Sequence, residues 1–171
     1  MKKIFYILSI VSVCLLASCK KEEIGGTATQ EMAGQWSVTC DGFANGAVQD
    51  EDIYGMGNFL VFTSNTAANK PTEMYLTDDP DNKFWDFKCK IEVDLATLTF
   101  SATNADNLNY PCKITVTGGK IVKNGTKTPS GMPADYIEFH VIFDDDDHVG
   151  ADYDDLFFHG FRYTGFAADE L

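Results

Sequence analysis

The fold of this chain is decided by residues 84–94, which read FWDFKCKIEVD. Apolar side chains occupy alternate positions from Trp85 to Val93, and charged side chains occupy the positions between them. A period of two is the spacing at which the side chains of an extended chain return to the same face of a sheet. The stretch therefore predicts a β-strand with one face in a hydrophobic core and the other in water.

The rest of the chain repeats this pattern in short segments. Further strands are predicted at residues 35–40, 58–63, 73–77, 98–102, 112–117, 120–123, 136–143 and 156–166. Turn signals lie at most junctions, and Gly118-Gly119 is typical of a two-residue hairpin turn between two of these strands. No segment has the period of an amphipathic helix longer than a turn or two. We therefore expect an all-β protein, an antiparallel meander barrel of about eight or nine strands.

Length and composition narrow the class of protein further. The 171 residues fit one ordinary domain, and a hydrophobic content of 44% is enough for a buried core. There are 13 basic and 26 acidic residues, which give a formal net charge of -13. This charge argues against nucleic acid as a partner and against electrostatic docking on an anionic membrane.

The N-terminus has the features of a secretory signal. Lys2 and Lys3 precede an apolar run from Ile4 to Leu16, which is shorter than the roughly 20 residues of a membrane-spanning helix. The following Leu16-Ala17-Ser18-Cys19 resembles the lipobox of bacterial lipoproteins. The resemblance implies cleavage before Cys19 and transfer of diacylglycerol to its thiol, which would anchor the chain in a membrane.

These features divide the chain into three predicted parts. They are a lipoprotein signal peptide at residues 1–18, a lipidated N-terminus with a flexible tether at residues 19–31, and the barrel domain at residues 32–171. Lys20-Lys21-Glu22-Glu23 resembles the export signals of Bacteroidetes lipoproteins that reach the cell surface. We expect an outer-membrane lipoprotein, either exposed on the surface or facing the periplasm.

Three cysteines remain after Cys19. Cys40, Cys89 and Cys112 lie in apolar, strand-like segments, and no C-x-x-C pair indicates a zinc or redox site. An extracytoplasmic compartment permits one disulfide among them. The alternative is that all three are small buried hydrophobic residues.

A resemblance to a known barrel class rests on both ends of the domain. Gly34-Gln35-Trp36 opens the first predicted strand, and Arg162 lies in the last. This arrangement resembles the lipocalin and calycin pattern. There the indole closes one end of the barrel and the guanidinium stacks on its face. The resemblance implies that Gly34, Trp36 and Arg162 are structural residues.

A closer resemblance involves three segments, residues 34–38, 84–88 and 160–166. Together they resemble a family of Bacteroidetes lipoproteins described as lipid-binding putative hydrolases, over roughly residues 32–166. The resemblance implies a lipocalin-like barrel and an apolar ligand such as a lipid.

Aromatic residues are frequent on the predicted strands. An aromatic wall can line a cavity for an acyl chain, and the same side chains can instead fill a packed core. The candidate ligand-lining residues are Phe59, Trp85, Phe87, Phe139, Phe143, Phe161 and Tyr163.

The segment 144–155, DDDDHVGADYDD, is strongly acidic. Oxygen-rich loops suit Ca²⁺, but an EF-hand read from Asp145 fails because Val149 and Leu156 occupy ligand positions. The candidate ligands of an irregular calcium loop are Asp144, Asp146, Asp147, Asp152 and Asp154. The alternative is a solvated hairpin loop without a metal.

No catalytic motif accompanies these features. The chain has no G-x-S-x-G sequence, and Ser130 lies in a loop-like context. His140, His148 and His159 have no useful spacing from a nucleophile. We therefore assign no catalytic residue.

Three functions are compatible with the sequence. The first is a lipid-anchored barrel that binds a small apolar ligand. The second is a structural or accessory lipoprotein that contacts protein or glycan, with aromatic residues such as Tyr54 or Tyr110 stacking on sugars. The third is a hydrolase, as the family resemblance suggests.

Overall fold

A computed structural model describes residues 25–81 and 84–170. Its regular structure is almost entirely β-strand, with one short 3₁₀ turn at Ala167–Asp169. The strands are β1 (Gly34–Ala44), β2 (Ala47–Asp50), β3 (Phe59–Asn65), β4 (Glu73–Asp78), β5 (Lys88–Asp94), β6 (Thr99–Asp106), β7 (Lys113–Lys127), β8 (Pro133–Phe143) and β9 (Asp155–Arg162).

The strands form a closed antiparallel barrel. From β3 to β9 each strand pairs with the next in sequence, and β1 pairs with both β3 and β9. The closing register runs from Trp36 opposite Arg162 to Phe43 opposite Asp155. Eight strands therefore make the wall, and β2 is an extra strand that pairs with the end of β1. This architecture confirms the predicted all-β antiparallel barrel.

Alternation along the strands fills the barrel interior. In β5, Cys89 and Ile91 are fully buried and Val93 is buried, while the charged residues between them are partly or fully exposed. The same alternation on the other strands gives one continuous core. Its largest fully buried side chains are Trp36, Phe87, Phe139, Phe143, Phe158, Met32, Met74, Leu76, Ile91, Ile114, Ile137 and Leu156. Burial of each such side chain contributes about 1.5–3 kcal/mol, so this cluster is the main source of stability.

The strand predicted at residues 84–94 begins later than expected. β5 starts at Lys88, and residues 84–87 belong to the loop that precedes it. Asp86 has a φ of 51°, in the left-handed region that ends a regular strand. As a result Phe87 is fully buried, whereas Trp85 is only partly buried.

The predicted hairpin at Gly118-Gly119 is wrong. The two strands expected on either side of it form one strand, β7, which pairs with β8 before and after the glycines with a register shift between. The glycines are therefore part of a β-bulge. Gly118 has a φ of 63°, and a Cβ on Gly119 would lie 2.4 Å from the ring of Phe100.

The predicted signal peptide, the lipobox and Cys19 lie outside the described residues. The structure does describe residues 25–31 of the predicted tether, where Thr29 is buried and Ala28 donates its N–H to Asn69. This part of the segment is packed at the end of the barrel where β1 begins. Within residues 25–81 and 84–170, no helix has the length and apolar character needed to cross a membrane.

Candidate functional site

One end of the barrel is closed by side chains of the strands together with the segment just before β1. The Arg162 guanidinium lies over the Trp36 ring, 4.5 Å from its centre, and Arg162 Nη1 donates to the carbonyl of Ala33 at 3.0 Å. Trp36 Nε1 donates to Thr63 Oγ1 at 2.9 Å. A cation–π contact and a hydrogen bond therefore hold the fully buried indole in place. We call this the Trp36 end.

Gly34 and Asp135 complete the arrangement at this end. A Cβ on Gly34 would lie 2.4 Å from Arg162 Nη1, so only glycine leaves room for the guanidinium here. Arg162 Nε donates to Asp135 Oδ2 at 3.1 Å. Gly34, Trp36 and Arg162, the residues singled out from the sequence, thus lie in direct contact.

The opposite end is covered by aromatic side chains from a loop. Phe84 and Trp85 come from the loop between β4 and β5. The Phe84 ring stacks on Phe59 with centroids 4.5 Å apart and meets Phe158 edge-on at 5.3 Å. Trp85 stacks on Phe143 at 5.1 Å. The core rings that these two loop residues contact are themselves buried.

A single carboxylate ties this loop to two others. Asp145 Oδ1 accepts hydrogen bonds from Trp85 Nε1 and from the Cys112 thiol, both at 3.1 Å. Asp145 Oδ2 accepts one from the Tyr110 hydroxyl at 2.8 Å. Asp145 lies in the loop between β8 and β9, and Tyr110 and Cys112 lie in the loop between β6 and β7. Three loops therefore meet at one acidic side chain.

A second tie involves the loop before β3. The Tyr54 hydroxyl donates to Asp146 Oδ2 at 2.9 Å, and the Tyr54 ring meets Phe84 and Trp85 with centroids 5.3 and 5.6 Å away. We call the four side chains Tyr54, Phe84, Trp85 and Tyr110 the aromatic cap. Tyr54 and Tyr110 are half-buried within it, and their hydroxyls are bonded to carboxylates.

The pKa values of Asp145 and its donors favour these hydrogen bonds at neutral pH. Burial alone would raise the pKa of Asp145, but hydrogen bonds from Cys112, Tyr110 and Trp85 bring the pKa of this carboxyl below its ordinary value. Burial and the bond to Asp145 raise the pKa of Tyr110, and they raise the pKa of Cys112 to about 12. The donors therefore keep their protons while Asp145 is ionised.

The base of the cap loop rests on a buried acid. Asp78 is 1% exposed, and its Oδ2 accepts the backbone N–H of Trp85 at 3.0 Å. Burial raises the pKa of Asp78, and backbone hydrogen bonds from residues 85–87 partly offset that rise. This carboxyl holds the backbone of Trp85, whereas Asp145 holds the tip of the Trp85 side chain.

Five of the predicted ligand-lining residues lie in the core or the cap contacts. Phe59, Phe87 and Phe143 are buried at the capped end, with Trp85 above Phe143. Phe139 is buried farther along, in contact with Phe158 at 5.1 Å between centroids. The rings touch one another, so the interior in this structure is filled by side chains.

Phe161 and Tyr163 are separated from that group. Phe161 lies opposite Ser37 in the β1–β9 register, whereas the neighbouring pairs face the core. Pairs in register share a face, so Phe161 lies on the outer side of the wall. Tyr163 follows the last strand, and its hydroxyl donates to Glu170 at 3.1 Å. Phe161 is nevertheless only 8% exposed, and a ligand-lining role for these two residues stays a prediction.

The candidate calcium ligands are dispersed among different partners. Asp146 is buried and bonded to Tyr54, and Asp144 accepts the backbone N–H of Lys113 at 2.8 Å. Asp152 contacts His148, and Asp154 accepts the N–H of Asn45. Among the described residues, the side chains close enough to share an ion are Cys112, Asp144 and Asp145. The hydrogen bonds of Cys112 to Asp145 and of the Lys113 N–H to Asp144 account for this proximity, and calcium stays a prediction.

The histidines form acid pairs on the outside of the wall. His140 Nδ1 lies 2.7 Å from Asp155 Oδ1. His159 Nε2 lies 2.8 Å from Asp41 Oδ2 and 3.2 Å from Thr39 Oγ1. A hydrolytic triad needs the hydroxyl and the carboxylate on different ring nitrogens. At His159 both contacts involve the same nitrogen, so this geometry is not that of a triad.

Sequence reasoning did not find the cap as a unit. Phe84, Tyr54 and Tyr110 come from three loops, and Asp145 comes from a fourth. Strand periodicity gives no information on which loop tips meet. The general excess of aromatic residues was the sequence signal for this cluster.

Comparison with protein families gives a match over most of the chain. The family described as "lipid-binding putative hydrolase" matches the chain over residues 21–167. This range includes every strand of the barrel and the aromatic cap. No curated protein matches the chain.

Proposed function

The chain belongs to this lipid-binding family, and on that premise we propose that its barrel takes up the acyl chain of a lipid beneath the aromatic cap. The observation that carries the proposal is the difference between the two ends of the barrel. At the Trp36 end, side chains of three paired strands hold the indole and the segment just before β1 adds to the closure, whereas the other end is closed by loop side chains held by hydrogen bonds.

Displacement of the cap would expose an apolar surface suited to a hydrocarbon chain. Phe84 and Trp85 cover the rings of Phe59, Phe143 and Phe158 by stacking and edge contacts. A chain that replaced the two loop residues would find the same ring faces. The proposed ligand is therefore a lipid tail rather than a polar metabolite.

The free energies involved allow an acyl chain to replace the ring contacts of the cap. Each aromatic contact of the cap contributes about 0.5–1.5 kcal/mol beyond area burial. An acyl chain gains about 0.8 kcal/mol for each methylene that leaves water, so ten methylenes contribute on the order of 8 kcal/mol. A long acyl chain can offset the loss of several ring contacts, whereas a short one cannot.

We further propose that the protein is a lipoprotein of the outer membrane, anchored through Cys19. The support is the sequence Leu16-Ala17-Ser18-Cys19 after a positively charged and then apolar N-terminus. Residues 25–33 reach the barrel at the Trp36 end, so the anchor and the cap would lie at opposite ends. Metabolic labelling with a palmitate analogue tests the anchor: Cys19→Ser should lose the label, and an equally labelled variant would overturn the proposal.

Two tryptophans make the ligand proposal directly testable. Trp36 and Trp85 mark the two ends of the barrel. We expect a phospholipid with brominated acyl chains to quench the fluorescence of Trp85 in the Trp36→Phe variant. The matched Trp85→Phe variant, which retains Trp36, should be quenched much less. Equal quenching of both, or quenching of neither in folded protein, would contradict ligand uptake at the cap.

The packed interior favours a second candidate, an accessory lipoprotein without a ligand. Phe87, Phe139, Phe143 and Phe158 are at most 1% exposed, as a structural barrel would require. The same quenching experiment separates the two candidates, because an accessory protein would leave Trp85 unquenched. Such a protein should instead retain a protein or glycan partner after mild detergent extraction.

A further inference from the structure

The segments at the two ends of the barrel differ in charge. The four segments at the capped end carry 12 acidic residues and one lysine, whereas the five at the Trp36 end carry three acidic residues and one lysine. The segments at the capped end are residues 45–58, 79–87, 107–112 and 144–154. Those at the Trp36 end are residues 25–33, 66–72, 95–98, 128–132 and 163–170. The negative charge of the loops is therefore concentrated at the capped end.

Two large apolar side chains are exposed at the less charged end. Among the described residues, Phe166 and Met132 are the most exposed large hydrophobic residues, at 70% and 63%. Met132 lies in the loop between β7 and β8, and Phe166 follows β9. Since β8 begins beside the end of β9 in their antiparallel pairing, both segments leave the wall at the Trp36 end. Single exposed apolar residues are ordinary on a protein surface, but two large ones at one end form a candidate contact surface.

A buried carboxylate joins the two segments that carry these side chains. Asp169 is 2% exposed, and it accepts the N–H of Ser130 at 2.9 Å and the hydroxyl of Thr164 at 2.7 Å. Within the loop between β7 and β8, the Met132 N–H donates to Thr128 Oγ1 at 3.2 Å, and the Thr128 N–H donates to the Met132 carbonyl at 2.8 Å. One hydrogen-bonded unit therefore presents both apolar side chains.

The residues next to Met132 and Phe166 are small, exposed and uncharged. They place no ionised group beside the two side chains, so contact with an apolar phase does not require a charge to leave water. These neighbours are Pro129, Ser130, Gly131, Gly165, Ala167 and Ala168. We call residues 129–132 and 165–168 the end surface.

The chain enters the barrel at the same end. Residues 25–33 precede β1, and Thr29 and Met32 within them are buried. Lys123 Nζ, on β7, donates to the carbonyl of Glu31 at 2.9 Å. These contacts fix the point at which the N-terminal segment meets the barrel.

The length of the link to Cys19 limits what can lie beside the end surface. A fully extended chain advances at most about 3.6 Å per residue, so the six steps from Cys19 to Gly25 span about 20 Å at most. A lipid anchor at Cys19 would therefore keep the Trp36 end within about 20 Å of the bilayer. The bilayer is then the nearest large surface to the end surface.

We propose that the end surface docks on the bilayer that holds the Cys19 anchor, with Met132 and Phe166 at the boundary between headgroups and acyl chains. This inference rests on the proposed anchor and goes beyond it, because an anchor alone leaves the barrel free to adopt any orientation. Apolar contact drives the docking, so it does not require the electrostatic attraction that a net charge of -13 disfavours. Repulsion of the acidic capped end by anionic lipid favours the same orientation, with the aromatic cap facing away from the bilayer.

Nitroxide quenching in vesicles tests the docking. The full chain is purified from membranes and reconstituted in phosphatidylethanolamine and phosphatidylglycerol, with some of the phospholipid carrying a nitroxide on its acyl chain. Met132→Cys carries a thiol-linked fluorophore, and Met56→Cys is the matched control, because Met56 is 39% exposed and lies in a loop at the capped end. Cys40, Cys89 and Cys112 are buried, so the fluorophore reacts with the introduced thiol.

We expect the nitroxide to quench the fluorophore at position 132 at least about threefold more strongly than the one at position 56. Phe166→Asp, added to the Met132→Cys variant, should lower the quenching at least about twofold, because a carboxylate at this place opposes contact with acyl chains. Ile142→Asp is the control for the added charge, since Ile142 is 37% exposed on the wall near the capped end, and it should leave the quenching unchanged.

The outcomes separate this inference from the proposed anchor. If the protein floats with the vesicles and both fluorophores are quenched equally, or neither is quenched, the docking is wrong and the anchor stands. Unchanged quenching in the Phe166→Asp variant would overturn the assignment of the end surface. If the chain neither floats with the vesicles nor takes up the palmitate label, both proposals fail.

Discussion

Replacement of Phe84 by alanine tests whether this residue acts as part of the cap or as part of the core. Replacement of a fully buried phenylalanine by alanine lowers the free energy of unfolding of a protein by about 3–5 kcal/mol. Phe84 is only half-buried, lies in a loop and contacts the core through Phe59 and Phe158. We therefore expect Phe84→Ala to lower the free energy of unfolding by about 1–2 kcal/mol, which is a shift of about 2–8 °C in Tm.

The same change should strengthen ligand binding. If Phe84 stabilises the closed cap by about 1–2 kcal/mol, its removal raises the open population by about 5–30-fold, and apparent lipid affinity rises with it. Stability is measured by urea unfolding and affinity by titration with the brominated phospholipid that quenches Trp85. Phe158→Ala is the core control and should lose about 3–5 kcal/mol. A loss of that size for Phe84→Ala, with unchanged or weaker lipid binding, would refute its role as a lid.

Two further predictions concern the Trp36 end and the C-terminal turn. Arg162→Lys should destabilise the fold by about 1–3 kcal/mol in urea unfolding, because lysine cannot stack on Trp36 while also bonding the Ala33 carbonyl; a neutral effect would contradict the closing role of this residue. Asp169 accepts hydrogen bonds from the Thr164 hydroxyl and the Ser130 N–H, which lower its pKa from 3.8 to about 2. Its contribution to stability is present above pH 3.8 and is lost as the pH falls toward about 2, so the stability difference between wild type and Asp169→Asn should shrink across that window. A difference that is independent of pH from 5 to about 2 would show that ionised Asp169 does not hold the turn.

The fold was predictable because alternation is a property of each strand alone. Cys89, Ile91 and Val93 reach the core in the observed β5 as the sequence pattern requires. Two features were not predictable in this way. Asp86 adopts a positive φ that removes Trp85 from the strand, and Gly118-Gly119 forms a bulge where the sequence favours a turn. In both cases tertiary pairing overrides a local preference.

The site was less predictable than the fold because it is made by loops that meet in space. Asp145 belongs to an acidic run in which any of several neighbours could have been the partner of Trp85. Phe161 is an aromatic residue on a strand, like those in the core, yet its register with Ser37 puts it on the outer side of the wall. The contact between Trp36 and Arg162 was the part of the site available from sequence, because it joins the two strands that close the barrel.

The two ends of the barrel differ in how they would open. At the Trp36 end the side chains that hold the indole are on β1, β3 and β9, which are joined by the pairing that closes the barrel, and buried Met32 from the segment before β1 adds to the closure. At the capped end Phe84 and Trp85 are on a loop, and their release breaks ring contacts and the bonds to Asp145 and Asp78 but no strand pairing. Local opening takes the path with the fewest buried contacts and ladder bonds, so the cap must open before the barrel unfolds. A ligand that enters without unfolding the protein is thereby restricted to the capped end.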